Sequence, residues 1–386
     1  MKTTILRSII LSTLALALGL ALMLGSTAFA AEGAADQSAL DTTDMFTDRD
    51  LAQTADLADA VYYSVSSGED IHIDAAGVYV LSGSASDVTI YVEAGDEDKV
   101  QLVLDGVEIT NDDFPCIYVK SADKVIITTS TDSSLSVAGT FTADGETNTD
   151  GVIFSREDLT LTGTAALTIS SNDNGIVTKD DLKVTGGSYE ITAASKCFEA
   201  NDSIRVSGGT FILNAGTDAL HAENDEDDAL GWIYISGGSF TINAGDDGIH
   251  GESVVQIDGG SFDISAGECI EGTYIQINDG NINIVSWDDG INGAAKSASY
   301  WPTIEINGGT ITVVMASGDT DGIDCNGNLI INGGIIDVSG QPAFDYDGFG
   351  QYNGGTIIVN GQQVSSLPNQ MMGGASGGMG GRGRWG

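Results

Sequence analysis

Basic residues are scarce: 14 Lys and Arg stand against 56 Asp and Glu, a formal charge of −42 over 386 residues. Such a surface repels nucleic-acid phosphates and anionic membranes, so neither is an expected partner, and it attracts cations. Cysteine and histidine are also few, at four and three. That leaves little nitrogen or sulfur for a repeated zinc site, so zinc fits the chain less well than an oxygen-seeking ion. Only four prolines occur, and helix-period apolar spacing is nearly absent, which argues against an α-helical fold. Beyond the first 30 residues no run is apolar enough to span a bilayer.

Glycine, at 52 residues, is plentiful and periodic. Gly-Gly pairs fall at 186–187, 208–209, 237–238, 259–260, 308–309, 333–334 and 354–355, with Asp279-Gly280 in the one gap. The second glycines are spaced 22, 29, 22, 20, 29, 25 and 21 residues apart, so the unit is about 22 residues with insertions. A short alternating run follows each pair (Phe211/Leu213, Phe240/Ile242, Phe262/Ile264, Ile282/Ile284) and another precedes the next, as in Ile233-Tyr234-Ile235 and Ile275-Gln276-Ile277. The β-branched and aromatic content favours strands. Three short strands per glycine-punctuated unit predict an all-β, single-stranded parallel β-helix, whose coils bury their apolar face only by stacking.

A third stretch recurs in each unit: KCFEAN (196–201), TDALHAE (217–223), DDGIHGE (246–252), ECIEGT (268–273), DDGINGA (288–294), TDGIDCN (320–326) and AFDYD (343–347). Stacking turns these into files. One reads Lys196, Asp218, Asp247, Glu268, Asp289, Asp321, and the outward file reads Glu199, His221, His250, Glu271, Asn292, Asp324, Asp345. Carboxylates ~5 Å apart repel unless cations or retained protons neutralise them. Calcium, which accepts six to eight oxygens at varied angles, is the expected cofactor. The expected ligands are Asp218, Asp246, Asp247, Glu268, Asp288, Asp289, Asp321 and Asp324, with the Asp225–Asp228 loop a further candidate. Tight-turn preference of Asp and a solvated acidic face are the plain alternative. Trp287, Tyr300 and Trp301 beside the acidic turns, with His250 and Glu271, are the expected substrate contacts, since aromatic faces suit the C–H faces of sugars.

Lys2 and Arg7, an apolar run over 9–24 and Ala28-Phe29-Ala30 read as a signal peptide ending at residue 30, so a secreted or cell-surface protein is expected. Residues 31–61 read as a linker with a short helix near 48–60 capping the first coil, 62–366 as the β-helix, and 367–386 as a disordered Gly/Met-rich tail. Insertions at 224–231 and 294–302 fall at one corner, where solenoids build binding faces. Cys197 and Cys269 share an inward position three coils apart, beyond disulfide reach, so buried reduced thiols are expected.

The GG-x-[FI]-x-[IV] strands, the DDGI[HN] turns, NDEDDALGWIYISGG and TDGIDCNGNLIINGG together closely resemble a secreted bacterial carbohydrate-binding β-helix family related in fold to pectate lyases, over roughly Val78 to Val359. The resemblance implies a right-handed parallel β-helix that holds calcium and binds cellulose and acidic polysaccharide such as polygalacturonate, without catalysis. It maps calcium-bearing acids onto Asp246-Asp247 and Asp288-Asp289, and departs at Lys196 and Cys197, where many repeats have Asp and Gly. No catalytic residue is assigned, and a monomer is expected. One alternative is a calcium-dependent polysaccharide lyase with Lys196 as base, which would need that amine close to the proton beside a uronate carboxylate. Another is a calcium-stiffened adhesin.

Overall fold

The computed structural model describes residues 39–316 and 320–369. The expected signal peptide, the start of the linker and the chain from residue 370 lie outside them. Among the described residues the protein is all-β apart from one four-residue helix, Asp48–Leu51, and the strands run from Val61 to Val364. They join into a long, mostly parallel sheet in which each strand pairs with its counterpart one repeat later, so the fold is solenoid-like.

Three rows of strands result. The first row follows the glycine pairs: Ser188–Ala193, Thr210–Ala215, Ser239–Ala244, Ser261–Ala266, Asn281–Ser286 and Thr310–Met315 pair successively in parallel. The second carries the acidic turns and the third leads to the next glycine pair, as in Ser203–Val206 beside Trp232–Ile235. The second glycine of every pair has positive φ, from 81° at Gly309 to 127° at Gly280. A side chain is strained in that conformation, which is why glycine marks the period. A final antiparallel pairing of Thr356–Val359 with Gln362–Val364 ends the parallel series.

Alternate residues of each strand point inward and stack on their equivalents. Phe211, Phe240 and Phe262 form a file with ring centroids 4.4 and 4.7 Å apart and planes within 4°, flanked by files of buried Ile, Val and Leu. All four cysteines are buried and free, and burial pushes their thiols up to about 12, where they stay protonated and inert.

The segment before the first strand departs from expectation. The helix spans only Asp48–Leu51, and it lies against the side of the solenoid, not over its first coil. Ala39 and Leu40 N–H groups donate to Gln276 and Gln256 at 2.8 and 2.9 Å, Phe46 meets Tyr234, and Asp50 reaches Lys124 and Thr160 at 3.1 Å. Residues 39–53 thus form a strap across the third row, running back over it from Gln276 to Thr160. The third row's outward polar groups provide its partners, and no exposed end needs to be invoked to hold it there.

Candidate functional site

Two steric rules shape the acidic turns. The small residue at the centre is forced by the next coil: a Cβ on Gly248 would lie 2.6 Å from the Cys269 carbonyl oxygen and 2.5 Å from an Ile264 methyl. Gly248→Ala is therefore expected to cost about 1–3 kcal/mol through backbone displacement, read as a lowered thermal midpoint. An unchanged midpoint would mean the coils are not held at this spacing. The acid before the small residue has a structural task as well. Asp218 accepts the Asp247 N–H at 3.1 Å and Asp289 accepts the Asp321 N–H at 3.0 Å, as Asn174 accepts that of Lys196 at 3.0 Å. One oxygen of each thus satisfies a backbone donor of the coil above.

The outward file of the second row pairs residue to residue: Glu199, His221, His250, Glu271, Asn292, Asp324 and Asp345. Although they point away from the core, His221, His250, Glu271 and Asn292 are buried, because each is covered by its neighbours in the file. His221 and His250 stack with centroids 4.7 Å apart. His250 Nδ1 lies 2.8 Å from Asp247 and 2.7 Å from Glu271, and Lys296 Nζ lies 2.9 Å from the other Glu271 oxygen. Burial opposes charge on His250, but its bonds to Asp247 and Glu271 outweigh that and raise its pKa. Burial likewise opposes charge on Glu271, yet His250 and Lys296 hold it below the usual range. Partial burial beside Glu271 pushes Glu268 up.

Above this lies a second cluster, made of oxygen donors alone. Asp321, Asp324 and Asp345 bring one oxygen each to within 4.8 Å of the others. Burial, then Asp289, Asp321 and Asp345, push Asp324 up to about 7, and burial raises Asp289 too. Asn292 closes the lower side. Its amide nitrogen donates to Glu268 at 2.9 Å and to Glu271 at 3.2 Å. That orientation leaves its oxygen, buried and without a donor, on the side of the file where Asp324 follows; one Asp345 oxygen is likewise buried without a donor.

The expected ligands divide accordingly. Asp218 and Asp247 lie 2.9 and 2.8 Å from the Nδ1 atoms of His221 and His250, Asp246 and Asp288 are exposed turn residues, and Glu268 joins Asn292. Asp289, Asp321 and Asp324 form the upper group. His250 and Glu271, expected to meet substrate, are instead paired inside the file. Trp287 and Trp301 are exposed, 48% and 67%, on either side of strand Ile291–Gly293 in the chain, while Tyr300 is half-buried against Tyr274. The two insertions meet as expected of one corner, the Ser297 hydroxyl donating to the Asp228 carbonyl. Beside them a cleft of about 440 Å³ is lined by Lys179, Lys196, Glu199, His221 and Asn224, with both lysines 3.4 Å from Glu199. Asn292, Asp345 and Lys296 were absent from the expected ligands and contacts. The first two stand in the outward file, where their position was the available signal.

A family model described as carbohydrate-binding domain-containing protein matches residues 67–320. The chain belongs to this family. Within the carbohydrate-binding domain-containing match fall the histidine cluster, the cleft and Asp289, whereas Asp321, Asp324 and Asp345 lie just past its end. A carbohydrate-binding domain-containing protein of Acetivibrio thermocellus is 37% identical over 201 residues, which cover 50% of this chain and 65% of that protein, less than two thirds of its length. A solved structure, the polysaccharide lyase-like protein from C. thermocellum as a gadolinium derivative, is similar at 32% identity and a TM-score of 0.51, over 58% of this chain and 96% of that one. No helix among the described residues is long and apolar enough to cross a membrane.

Proposed function

We propose that this family member is a secreted, non-catalytic polysaccharide-binding protein, a right-handed single-stranded parallel β-helix. In this reading it holds calcium in the upper acidic cluster and takes acidic pectin-type polymer or cellulose along its second row. The observation that carries the reading is the Asn292 amide, whose oxygen has no donor and stands in register beside a carboxylate. A buried acceptor without a donor is costly, and here three carboxylates gather next to it. An all-oxygen set of varied angle suits calcium better than zinc. Asp289, Asn292, Asp321, Asp324 and Asp345 would hold it, and the ion would supply the positive charge that lets an acidic protein approach a uronate polymer. Support comes also from the similar solved structure, a derivative of gadolinium, which like calcium is a hard cation. The exposed faces of Trp287 and Trp301 are suited to sugar rings.

The test incubates the purified mature protein with polygalacturonate and with cellulose, with and without a calcium chelator. Retention of polygalacturonate that the chelator abolishes, with no unsaturated products, is the expected result. Accumulating unsaturated uronates would replace this reading with the lyase, for which Lys196 in the cleft is the candidate base. Absence of retention on either polymer would leave a structural or adhesive solenoid.

A further inference from the structure

The calcium reading leaves the histidines unexplained. Two adjacent coils carry the same spacing, Asp218-Ala219-Leu220-His221 and Asp247-Gly248-Ile249-His250, and the fold stacks one directly on the other. In the upper of the two, His250 Nδ1 lies almost equally far from Asp247 Oδ2 and Glu271 Oε2, at 2.8 and 2.7 Å. A nitrogen bearing one hydrogen donates well along one direction only, so a proton serves one of these carboxylates and leaves the other short. A metal ion between the three atoms would serve all of them. Lys296 and Asn292 engage Glu271 through Oε1, not Oε2. Asp247, His250 and Glu271 are each more than nine-tenths buried, and the ring of His250 is held in place by its stack on His221. One coil below, His221 Nδ1 sits 2.9 Å from an Asp218 oxygen yet makes no properly directed hydrogen bond, a buried nitrogen turned to a carboxylate without a bond to it.

We propose that Asp247 Oδ2, His250 Nδ1 and Glu271 Oε2 form a site for a borderline divalent metal of the zinc, cobalt or nickel class, separate from the oxygen-only cluster above. One imidazole nitrogen with two carboxylates is a donor set that these ions take and that calcium does not prefer. Three protein donors leave at least one position for water. The ion would displace the Nδ1 proton, so binding releases a proton to solvent. Lys296 at the far oxygen of Glu271 orients that carboxylate in the manner of an outer partner.

The inference does not rest on calcium, and the experiment keeps the two apart. Metal-stripped full-length protein, with its oxygen sites saturated by calcium, is titrated with cobalt(II), followed by its visible absorption, and with zinc(II) by calorimetry. One equivalent should bind, with absorption characteristic of nitrogen ligation and with proton release that scales with buffer ionisation. His250→Gln should weaken zinc binding about 100-fold while leaving any calcium-induced thermal shift in place. Equal zinc affinity in the variant, or no zinc binding beyond the calcium-saturated level, would overturn the site. Should the variant fold poorly, anomalous scattering at the zinc edge from wild-type crystals decides: a peak bound to His250 Nδ1 supports the proposal, and its absence there refutes it.

Discussion

Replacing Asp50 with alanine is expected to destabilise the protein by about 3–5 kcal/mol, the cost of breaking a buried ion pair from one side. Asp50 is fully buried and answers two lysines, with Lys124 Nζ at 3.1 Å and Lys183 Nζ at 3.9 Å. It also accepts from the Thr160 hydroxyl at 3.1 Å and the Thr47 N–H at 3.0 Å. Burial opposes its charge, but Thr47 and Lys124 prevail and hold its pKa at about 2. Lys183, by contrast, is pushed down by burial and by the nearby Arg205 and Lys124. Without the aspartate, two nearly buried ammonium groups would face one another with only Asp158, 3.9 Å from Lys124, to answer them. A lowered thermal midpoint should be accompanied by faster hydrogen exchange at the Ala39 and Leu40 amides, because the strap loses its anchor. The acid side follows from the depressed pKa: this contribution is complete above the unfolded value near 4 and is lost as pH falls through about 2. A variant with wild-type melting and exchange would show that the strap is dispensable.

Metal-stripped protein is expected to melt at progressively lower temperature as pH rises from about 5 to 8, and calcium should reverse the loss. Asp324, with a folded pKa of about 7 against the ordinary aspartate value of 3.8, keeps its proton in the folded state after the unfolded chain has released it. Between those values the folded state binds more protons, so stability falls with rising pH. Asp289 and Glu268, also raised, act in the same sense, as does His250, whose raised pKa favours the folded state until it deprotonates. Calcium that binds only the folded state adds about 4 kcal/mol at a thousandfold excess over its Kd. That should raise the midpoint at pH 8 by several degrees. Asp324→Asn, which removes the charge that needs neutralising, should flatten the pH dependence and shrink the calcium shift. Melting that ignores both pH and calcium at pH 8 would rule out the oxygen cluster as a cation site.

Much of the architecture was legible because a solenoid turns linear periodicity into vertical adjacency. The glycine spacing placed Asp247 beside Glu268 and His250 beside Glu271, and the observed register pairs those residues. The helix before the first strand was misplaced for an equally physical reason. Its partners Lys124, Thr160 and Lys183 lie 74 or more residues away, and nothing local in Asp48–Leu51 specifies which face it joins. Substrate roles for His250 and Glu271 followed from their outward direction along the strand, but direction is not exposure once equivalent side chains stack and cover each other.

From the sequence alone came the repeat, the strands, the inward apolar files and the identity of the outward file, because period-two alternation and glycine turns are local properties that repetition amplifies. The tertiary structure alone decided which acids meet a lysine or a histidine and which gather with other acids. It made Asp50 the partner of distant lysines and separated the histidine cluster from the oxygen cluster through the orientation of Asn292. Those outcomes depend on distances of a few ångströms between coils, and electrostatic energies at that range change with each partner's burial and direction, which no spacing along the chain records.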